Sequence, residues 1–462
     1  MFARRWLMVA VLTGGVAAAL APVPAVADAP PNIHRGLLVP VIPERGGAQI
    51  VDGMVEAGDH VGSRIIVGGT FTTIRLPDGS LVNQPNLAAF DANTGAFDAG
   101  FRPVVNGEVL AVERGETAGS LFIGGRFTSV NGVSRGRLAK LSVPTGAPVG
   151  SWRAPATATV KTLDRFGDRL FVGGDFGQLG GVTRSRLAEV SAATGTVSAA
   201  FTIGVTGRRD AGTRSDGLVW NGGGAIVRSV RVNQAGTRLV VMHRGDQVGG
   251  QTRWGAAVID ISGAAPVVTS WRSRLWDQQP FRPLDFVGIV EGDLSPDGRM
   301  FVITNYVGNF PPLHDTVIAF PVDGSDGVQP LWVTQMFDST YSVAVSDAAA
   351  YVGGHSCWTE SQQSVASPLY WPGRSGNEYS CTEISGSVFQ PQTTFRYHLA
   401  ALDLPTGRAL DWDPRSNNSS NGVHFLRAID RGLLVGHDGT RLHNVDVGRF
   451  GFFDFGPTFN AP

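Results

Sequence analysis

The side chains best suited to chemistry fall in the second half of the chain. Histidines stand beside aspartates or arginines at His243-Arg244-Gly245-Asp246, His314-Asp315 and His437-Asp438, and His355 follows a Gly-Gly pair. An imidazole next to a carboxylate can serve as a general acid or base. Several imidazoles can bind a transition metal. These residues therefore suggest either a catalytic site or a metal site built from His243, His314, His355 and His437, provided that the fold brings them together.

A repeated sequence phrase indicates the strands on which these residues would be placed. Ile65-Ile66-Val67-Gly68-Gly69-Thr70-Phe71 returns as Leu121-Phe122-Ile123-Gly124-Gly125-Arg126-Phe127 and as Leu170-Phe171-Val172-Gly173-Gly174-Asp175-Phe176. An apolar stretch precedes each phrase, and a small-residue stretch, a Thr-Gly turn and an aromatic residue follow it. Short runs rich in β-branched and aromatic residues with glycine between them are typical of strands, so each unit predicts four strands.

Weaker copies of the phrase extend the repeat. They are Leu239-Val240-Val241, Met300-Phe301-Val302, Tyr351-Val352-Gly353-Gly354 and Leu433-Leu434-Val435-Gly436. Four-stranded units repeated radially make a β-propeller. We predict an all-β fold, a β-propeller of seven four-stranded blades. Six or eight blades, or a linear β-solenoid, are the alternatives.

The repeat resembles the delta-60 repeat of secreted bacterial β-propeller proteins. The resemblance is clear over residues 64–203 and again around 351–412, whereas residues 204–340 keep the strand pattern but lose Gly-Gly-x-Phe. It implies a propeller fold. The family has no established catalytic residues that the resemblance could assign to this chain.

Comparison between units indicates that several apparent functional motifs are features of the repeat. Gly132-Val133-Ser134-Arg135-Gly136 has the nucleophile-elbow pattern, but the next unit has Gly181-Val182-Thr183-Arg184-Ser185 at the same place. A repeated loop explains both better than a serine nucleophile does. Asp91-Ala92-Asn93-Thr94-Gly95 begins like a calcium loop but predicts a turn, because no glutamate closes it. Trp152, Trp271, Trp332 and Trp412 recur at one place in the unit and predict packing between blades.

One face of the propeller is predicted to collect the variable loops. Since neighbouring strands alternate in direction, the loop between the second and third strands opens on the same side as the segment that enters the next blade. The candidate ligand-binding residues on this face are His243, Arg244, Asp246, Arg274, Trp276, His314, Asp315, His355, His437 and Asp438. Loops carry function more often than scaffold strands do.

Length, composition and the first residues indicate the compartment. Arg4-Arg5, an apolar run from Trp6 to Leu20, and Ala25-Val26-Ala27 predict a secretory signal peptide over residues 1–27, with twin-arginine export as the alternative route. Residues 28–462 are predicted to form a single propeller domain. The net charge of -1 argues against a nucleic-acid or anionic-membrane partner. No later apolar run is long enough to span a bilayer.

The two cysteines fit an oxidising compartment. Cys357 and Cys381 are the only cysteines and lie in one insertion, which predicts a disulfide that closes residues 357–381. Their spacing does not match a redox or zinc motif.

Two classes of function follow. We expect a secreted, monomeric, non-catalytic binding or scaffold protein whose loop-rich face binds a glycan, a cell-wall component or a protein. No catalytic residue, metal or cofactor is assigned. The alternative is an extracellular hydrolase, lyase or oxidoreductase with His, Asp and Arg at the mouth of the channel, which rests on fold analogy alone.

Overall fold

The structure is a computed structural model of the chain. It describes residues 34–207, 212–213, 219–220, 224–276, 289–305, 315–336, 339–356, 358–360, 393–417 and 422–456. The predicted signal peptide, His314 and both cysteines lie outside these residues.

Seven antiparallel sheets repeat one strand order and are numbered sheets 1 to 7 along the chain. Their first strands are Val55–Val61, Val109–Arg114, Val160–Phe166, Ile226–Val232, Ile289–Leu294, Thr340–Val345 and Val423–Ile429. Their second strands are Arg64–Gly69, Ser120–Gly125, Arg169–Gly174, Arg238–Arg244, Met300–Asn305, Ala350–Gly354 and Gly432–His437. Their third strands are Leu87–Asp91, Leu138–Ser142, Leu187–Ser191, Ala256–Asp260, Thr316–Pro321, Leu399–Leu402 and Phe450–Asp454. The chain thus follows the strand order predicted from the repeat.

Fourth strands are short. Sheets 4 and 5 have Val267–Val268 and Trp332–Gln335, whereas four other sheets have a single bridge at this edge. Those bridges are Phe90 to Phe97, Leu141 to Pro148, Val190 to Val197 and Leu402 to Ala409.

Two-stranded ribbons form between the second and third strands in six of the sheets. They pair Thr73–Arg75 with Leu81–Asn83, Ser129–Val130 with Val133–Ser134, Gln178–Leu179 with Val182–Thr183, Gln247–Val248 with Gln251–Thr252, Trp358–Glu360 with Thr393–Phe395, and Arg441–Leu442 with Val445–Asp446. The segment that enters a sheet pairs with the ribbon of the same sheet, as Gln49–Ile50 and Val205–Thr206 do. Gly212–Thr213 pairs with Val219–Trp220, and His34–Gly36 is a short 3-10 helix. The ribbons and entering segments therefore share one side, which we call the loop face; the turns between first and second strands define the turn face.

The sheets are arranged side by side with their first strands innermost. Each first strand contacts the first strand of the next sheet, and the first strand of sheet 7 contacts that of sheet 1. The hydrophobic core lies between sheets; for example, Ala89 of sheet 1 and Ile123 of sheet 2 share one cluster with Phe101. This is the architecture of a β-propeller.

The Gly-Gly phrase has two steric causes. A Cβ on the first glycine, Gly68, would come within 2.4 Å of the Val109 side chain of the next sheet. A Cβ on the second glycine, Gly69, would come within 1.9 Å of the carbonyl oxygen of Met54, just before the first strand. Real Cβ contacts are not this short. Packing against the next sheet therefore requires glycine at the first position, and the path of the first strand requires glycine at the second.

The motifs that the repeat explained behave as predicted. Ser134 lies exposed in a ribbon, with no helix after it. The Asp91 carboxylate accepts hydrogen bonds from the backbone N–H groups of Asn93 and Thr94, as in a turn. The recurring tryptophans are buried between sheets. Among the described residues, none of the helices has the length and apolar character needed to cross a membrane.

Candidate ligand-binding site

A β-bulge recurs in the first strand of every sheet, near the loop face. In sheet 1 the pairing with the second strand skips from Val55 to Ala57, which leaves Glu56 as the bulged residue, and the same shift occurs in the other six sheets. We call the bulged residues the bulge ring: Glu56, Leu110, Lys161, Arg228, Val290, Tyr341 and His424. Bulges commonly re-aim a side chain near functional sites.

The bulge ring varies where its neighbours do not. All seven of its side chains are partly exposed, whereas the preceding residue is buried in every sheet. That preceding residue is valine in five sheets, isoleucine in one and threonine in one: Val55, Val109, Val160, Val227, Ile289, Thr340 and Val423. Packing thus keeps one position nearly constant within the repeat, while the next position carries seven different side chains. We take this freedom from packing as the mark of a binding surface.

One part of the ring carries charge. The pKa of the Glu56 carboxyl is raised to about 7, mainly by burial and then by the nearby Glu108 carboxylate. The pKa of Lys161 is lowered by burial and by the Arg228 guanidinium. Within the described part of the chain the Lys161 ammonium forms no ion pair, whereas Arg126 pairs with Glu108 at 2.8 Å. Lys161 therefore has a charge available for a ligand.

A second carboxyl group lies one residue beyond the ring. Burial raises the pKa of Glu291 to about 8, and Arg231 opposes the shift while Asp293 adds to it. Glu56 also raises the pKa of Glu291, although Glu56 belongs to sheet 1 and Glu291 to sheet 5. Near pH 7 these carboxyls are protonated to a large extent and can donate hydrogen bonds.

Another part of the ring is aromatic. Tyr341 and His424 stack with ring centroids 4.8 Å apart and an angle of 7° between their planes. His355 packs edge-on against Tyr341 at 5.3 Å. Sheets 6 and 7 thus present a flat aromatic surface at the loop face.

Histidines gather next to that aromatic surface. The pKa of His398 is lowered to about 4 by burial and by the proximity of His355. The pKa of His437 is also lowered to about 4 by burial, with Asp438 opposing the shift. The Nδ1 of His437 and the hydroxyl of Ser416 are 2.9 Å apart. Near neutral pH, His398 and His437 are therefore uncharged.

The structure brings together some of the ten residues predicted for this face. His355, His437 and Asp438 lie near one another, since His355 and Asp438 both influence the pKa of His398. His243 and His437 lie within second strands instead of in loops, because they take the place of the second glycine of the phrase. His243 is fully buried, with Nδ1 accepting from the N–H of Gly245 at 3.1 Å and a pKa lowered by burial to about 3.

The remaining predicted residues are spread over sheets 4 and 5. Arg244 donates to the carbonyl oxygen of Ile289 at 2.7 Å. Asp246 is partly buried, Asp315 lies just before the third strand of sheet 5, and Arg274 pairs with Asp326 at 2.7 Å. Trp276 is buried against Phe320 with centroids 5.4 Å apart. Across the described ranges, no three His, Cys, Asp or Glu residues are grouped so that they could hold a metal.

A second ring lines the same inner surface three residues further along, toward the turn face. We call it the charge ring: Asp59, Glu113, Asp164, Arg231, Asp293, Ala344 and Arg427. Six of the sheets contribute residues to a cavity of about 170 Å³ at this level. The charge ring lies on the same strands as the bulge ring, so the two can be compared directly.

Residues of the charge ring form ion pairs with one another and hydrogen bonds with the backbone of neighbouring sheets. Arg427 lies 3.2 Å from Glu113 and 3.8 Å from Asp59, and Arg231 lies 2.6 Å from Asp293. Three of its carboxylates accept a backbone N–H of the next sheet, from Arg114, Val232 and Val345. The charges of this ring join sheets, which leaves the bulge ring as the better candidate site.

Sequence reasoning missed the bulge ring because it searched the loops. The ring could have been found from the opening stretches themselves, where Val109-Leu110-Ala111-Val112 and Val160-Lys161-Thr162-Leu163 differ most at their second residue. Only the strand pairing shows that this residue is bulged.

Comparison with known proteins adds no functional assignment. No protein-family model and no curated protein matches the chain. Among solved structures, the Cps50 (Swd1) β-propeller domain of Myceliophteria thermophila aligns with 8% identity and a TM-score of 0.46, over 87% of this chain and 96% of that one. The computationally designed Ika8 protein aligns with 12% identity and a TM-score of 0.47, over 89% of this chain and 100% of that one.

Proposed function

We propose that this chain is a secreted, seven-bladed β-propeller that binds a glycan at the bulge ring. The observation that carries the proposal is the contrast within the repeat: a nearly constant buried residue stands beside a partly exposed residue that differs in every sheet. A position that packing does not constrain is free to change type. A surface that contacts an asymmetric ligand requires such a change from one sheet to the next.

Seven blades and a closed ring are supported by three features. Seven sheets share one strand order, and consecutive first strands are in contact, including those of sheets 7 and 1. The N–H of Glu44 donates to the carbonyl oxygen of Phe452 at 2.8 Å. The segment that enters sheet 1 thus lies along the outer edge of sheet 7, where the other sheets have a fourth strand, which is how a propeller closes.

A glycan suits the chemistry of the ring. The stacked pair of Tyr341 and His424 offers a flat surface for the apolar face of a sugar. Glu56, Glu291 and Lys161 supply donors and acceptors for hydroxyl groups. A few polar groups placed beside an aromatic surface are typical of small-molecule sites.

Secretion rests on the first residues and on the resemblance. Residues 1–27 have the charged, apolar and small-residue parts of a signal peptide, and the resemblance to delta-60 proteins points to the same compartment. A glycan or cell-wall component is the ligand such a protein would meet there.

The proposal is tested by retention of the mature protein on immobilised cell-wall polysaccharides and neutral glycans. We expect retention on at least one of them, and a loss of affinity of about tenfold for Tyr341→Ala, because a stacked ring contributes on the order of 1 kcal/mol beyond its buried area. Leu81→Ala, an exposed residue of a ribbon, is the matched control for lost apolar area.

Lys161→Gln tests the polar part of the ring, with the exposed Arg408→Gln as its control. Retention that survives both ring substitutions would show that the glycan binds elsewhere. Absence of retention on every glycan would contradict the proposed ligand class.

One observation favours a second function, cleavage of the bound glycan. Glu56 raises the pKa of Glu291, and both carboxyls have raised pKa values, which is the property of a general acid. Glycosidases use two carboxyl groups on either side of the bond they cleave. Release of new reducing ends by the wild type, but not by Glu291→Gln, would support this function. Release by both proteins would contradict it.

A further inference from the structure

The junction between sheets 7 and 1 lacks the aromatic wedge found at the other junctions. Six buried aromatic side chains enter between successive sheets: Phe101, Trp152, Phe201, Trp271, Trp332 and Trp412. Phe101 and Trp152 each stand eight residues before the buried valine of the next first strand, Val109 or Val160. The residue eight positions before Val55 is Gly47.

A cavity of about 100 Å³ lies at this junction, and Gly47 lines it. Ile65, Phe90, Ala92 and Phe450 also line it. By strand register these four correspond to Leu170, Val190, Ala192 and Leu138, which belong to the cluster around Trp152. The cavity is therefore at the place that an aromatic wedge occupies elsewhere in the molecule.

The hydrogen-bond acceptor for an indole is also in place. The indole N–H groups of Trp152 and Trp271 donate to the carbonyl oxygens of Ser191 and Pro321, at 3.2 Å and 2.9 Å. Each acceptor pairs with the first residue of its second strand, and the corresponding residue of sheet 1 is Asp91.

Asp91 lines the cavity. Its carbonyl oxygen accepts from the N–H of Gly95 at 2.9 Å, just as Ser191 accepts from Gly195 at 2.8 Å in addition to the Trp152 indole. A carbonyl oxygen has two lone pairs, so Asp91 can accept a second hydrogen bond.

Two phenylalanines limit the space. Phe452 stands where sheet 1 has Ala89, and both Phe450 and Phe452 are partly exposed. The remaining volume is smaller than the roughly 150 Å³ that holds benzene in an enclosed apolar cavity. A ring bound here would be partly outside the cavity.

We propose that this junction is a binding site for an indole ring supplied by a ligand, which would stack among Phe90, Phe450 and Phe452 and donate its N–H to the Asp91 carbonyl oxygen. The ring belongs either to a small indole or to a tryptophan side chain of a peptide. Both share the chemistry that the junction recognises, and the site is separate from the bulge ring.

The test is titration of the mature protein with indole and with N-acetyltryptophanamide, followed by ligand-observed NMR. We expect binding of indole, and binding of the amide as well if the natural source is a peptide. 1-Methylindole lacks the N–H and should bind about fivefold more weakly, since one hydrogen bond is lost. Equal binding of 1-methylindole would overturn the role of Asp91.

Variants distinguish specific indole binding at this junction from nonspecific binding. Phe452→Ala restores the residue of sheet 1 and should tighten indole binding about tenfold by enlarging the cavity. Phe452→Trp fills the cavity and should abolish binding, whereas Leu81→Ala should leave it unchanged. Trp152→Ala opens a wedge-shaped space at another junction and serves as a positive control with a second indole site. Failure of both wild type and Phe452→Ala to bind indole would overturn the proposal.

Discussion

The bulge ring and the charge ring lie three residues apart on the same seven strands, yet they treat charge in opposite ways. In the charge ring, Arg427 joins Glu113 to Asp59, and carboxylates accept backbone N–H groups of the next sheet. In the bulge ring, Lys161 forms no ion pair with any residue that the structure describes, and Tyr341 stacks on His424. A repeated scaffold can thus use charge to join its sheets at one level of the inner surface and leave the neighbouring level without that constraint.

The largest difference should appear on removing Arg427. Arg427→Met would leave Glu113 and Asp59 buried without their shared cation, and breaking a buried pair in this way costs about 3–5 kcal/mol of the free energy of unfolding. His424→Gln, in the bulge ring of the same strand, should cost only about 1 kcal/mol, since it removes the stacking contact with Tyr341. Urea unfolding of both variants measures this. Similar midpoints for the two would remove the distinction between the rings.

A smaller contrast is expected in sheet 3. The Asp164 carboxylate accepts backbone N–H groups from Val232 at 2.6 Å and from Arg165 at 3.0 Å. Asp164→Asn should therefore cost about 1–3 kcal/mol. Lys161→Gln, three residues earlier, should cost nearly nothing while weakening ligand binding. Loss of stability in Lys161→Gln comparable to that in Asp164→Asn would show that Lys161 is structural.

The pH dependence of stability should involve one carboxyl group near each ring. Burial raises the pKa of Glu291 to about 8 and that of Glu113 also to about 8. Because the folded state holds these protons more tightly, their stabilisation is complete below about pH 4.5 and is lost as pH rises through about 8.

Glu291→Gln should flatten this decline with little cost at pH 7, and Glu113→Gln should do the same, because glutamine resembles the protonated carboxyl and keeps an oxygen that can accept from Arg427. Thermal unfolding at pH 4.5, 6 and 8.5 gives the slopes. A slope in Glu291→Gln equal to that of wild type would exclude Glu291 as the titrating group.

The smallest effect is expected for Arg126, beside the bulge ring. Its ion pair with Glu108 is 2.8 Å long, but the arginine side chain is 60% exposed. Exposed pairs contribute about 0–1 kcal/mol, so Arg126→Gln should leave the urea midpoint almost unchanged. A clear destabilisation would mean that cohesion extends to the loop face.

Much of the architecture could be read from the sequence. The apolar stretch, the Gly-Gly phrase, the small-residue stretch and the aromatic residue correspond to first, second and third strands and the wedge, as in Val109–Arg114, Ser120–Gly125, Leu138–Ser142 and Trp152. These features follow from local strand propensity and from the absence of space for a Cβ. The candidate site was harder to predict, because His243 and His437 suggest loop residues although they lie in buried strands.

The repeated β-sheet units and the residues that pack between them could be predicted from the sequence alone, because strand propensity and glycine requirements are local, whereas the predicted fourth strand is formed in only sheets 4 and 5 of the described residues. Three features depend on the folded ring: which residue of each first strand is bulged, the contact of Arg427 with Glu113 from 314 positions away, and the absence of a wedge at the junction of the described residues near Gly47. A ring takes one residue from each of seven distant strands, so its partners depend on register and closure. Neither the register between strands nor the closure of the ring can be deduced from a single unit of the repeat.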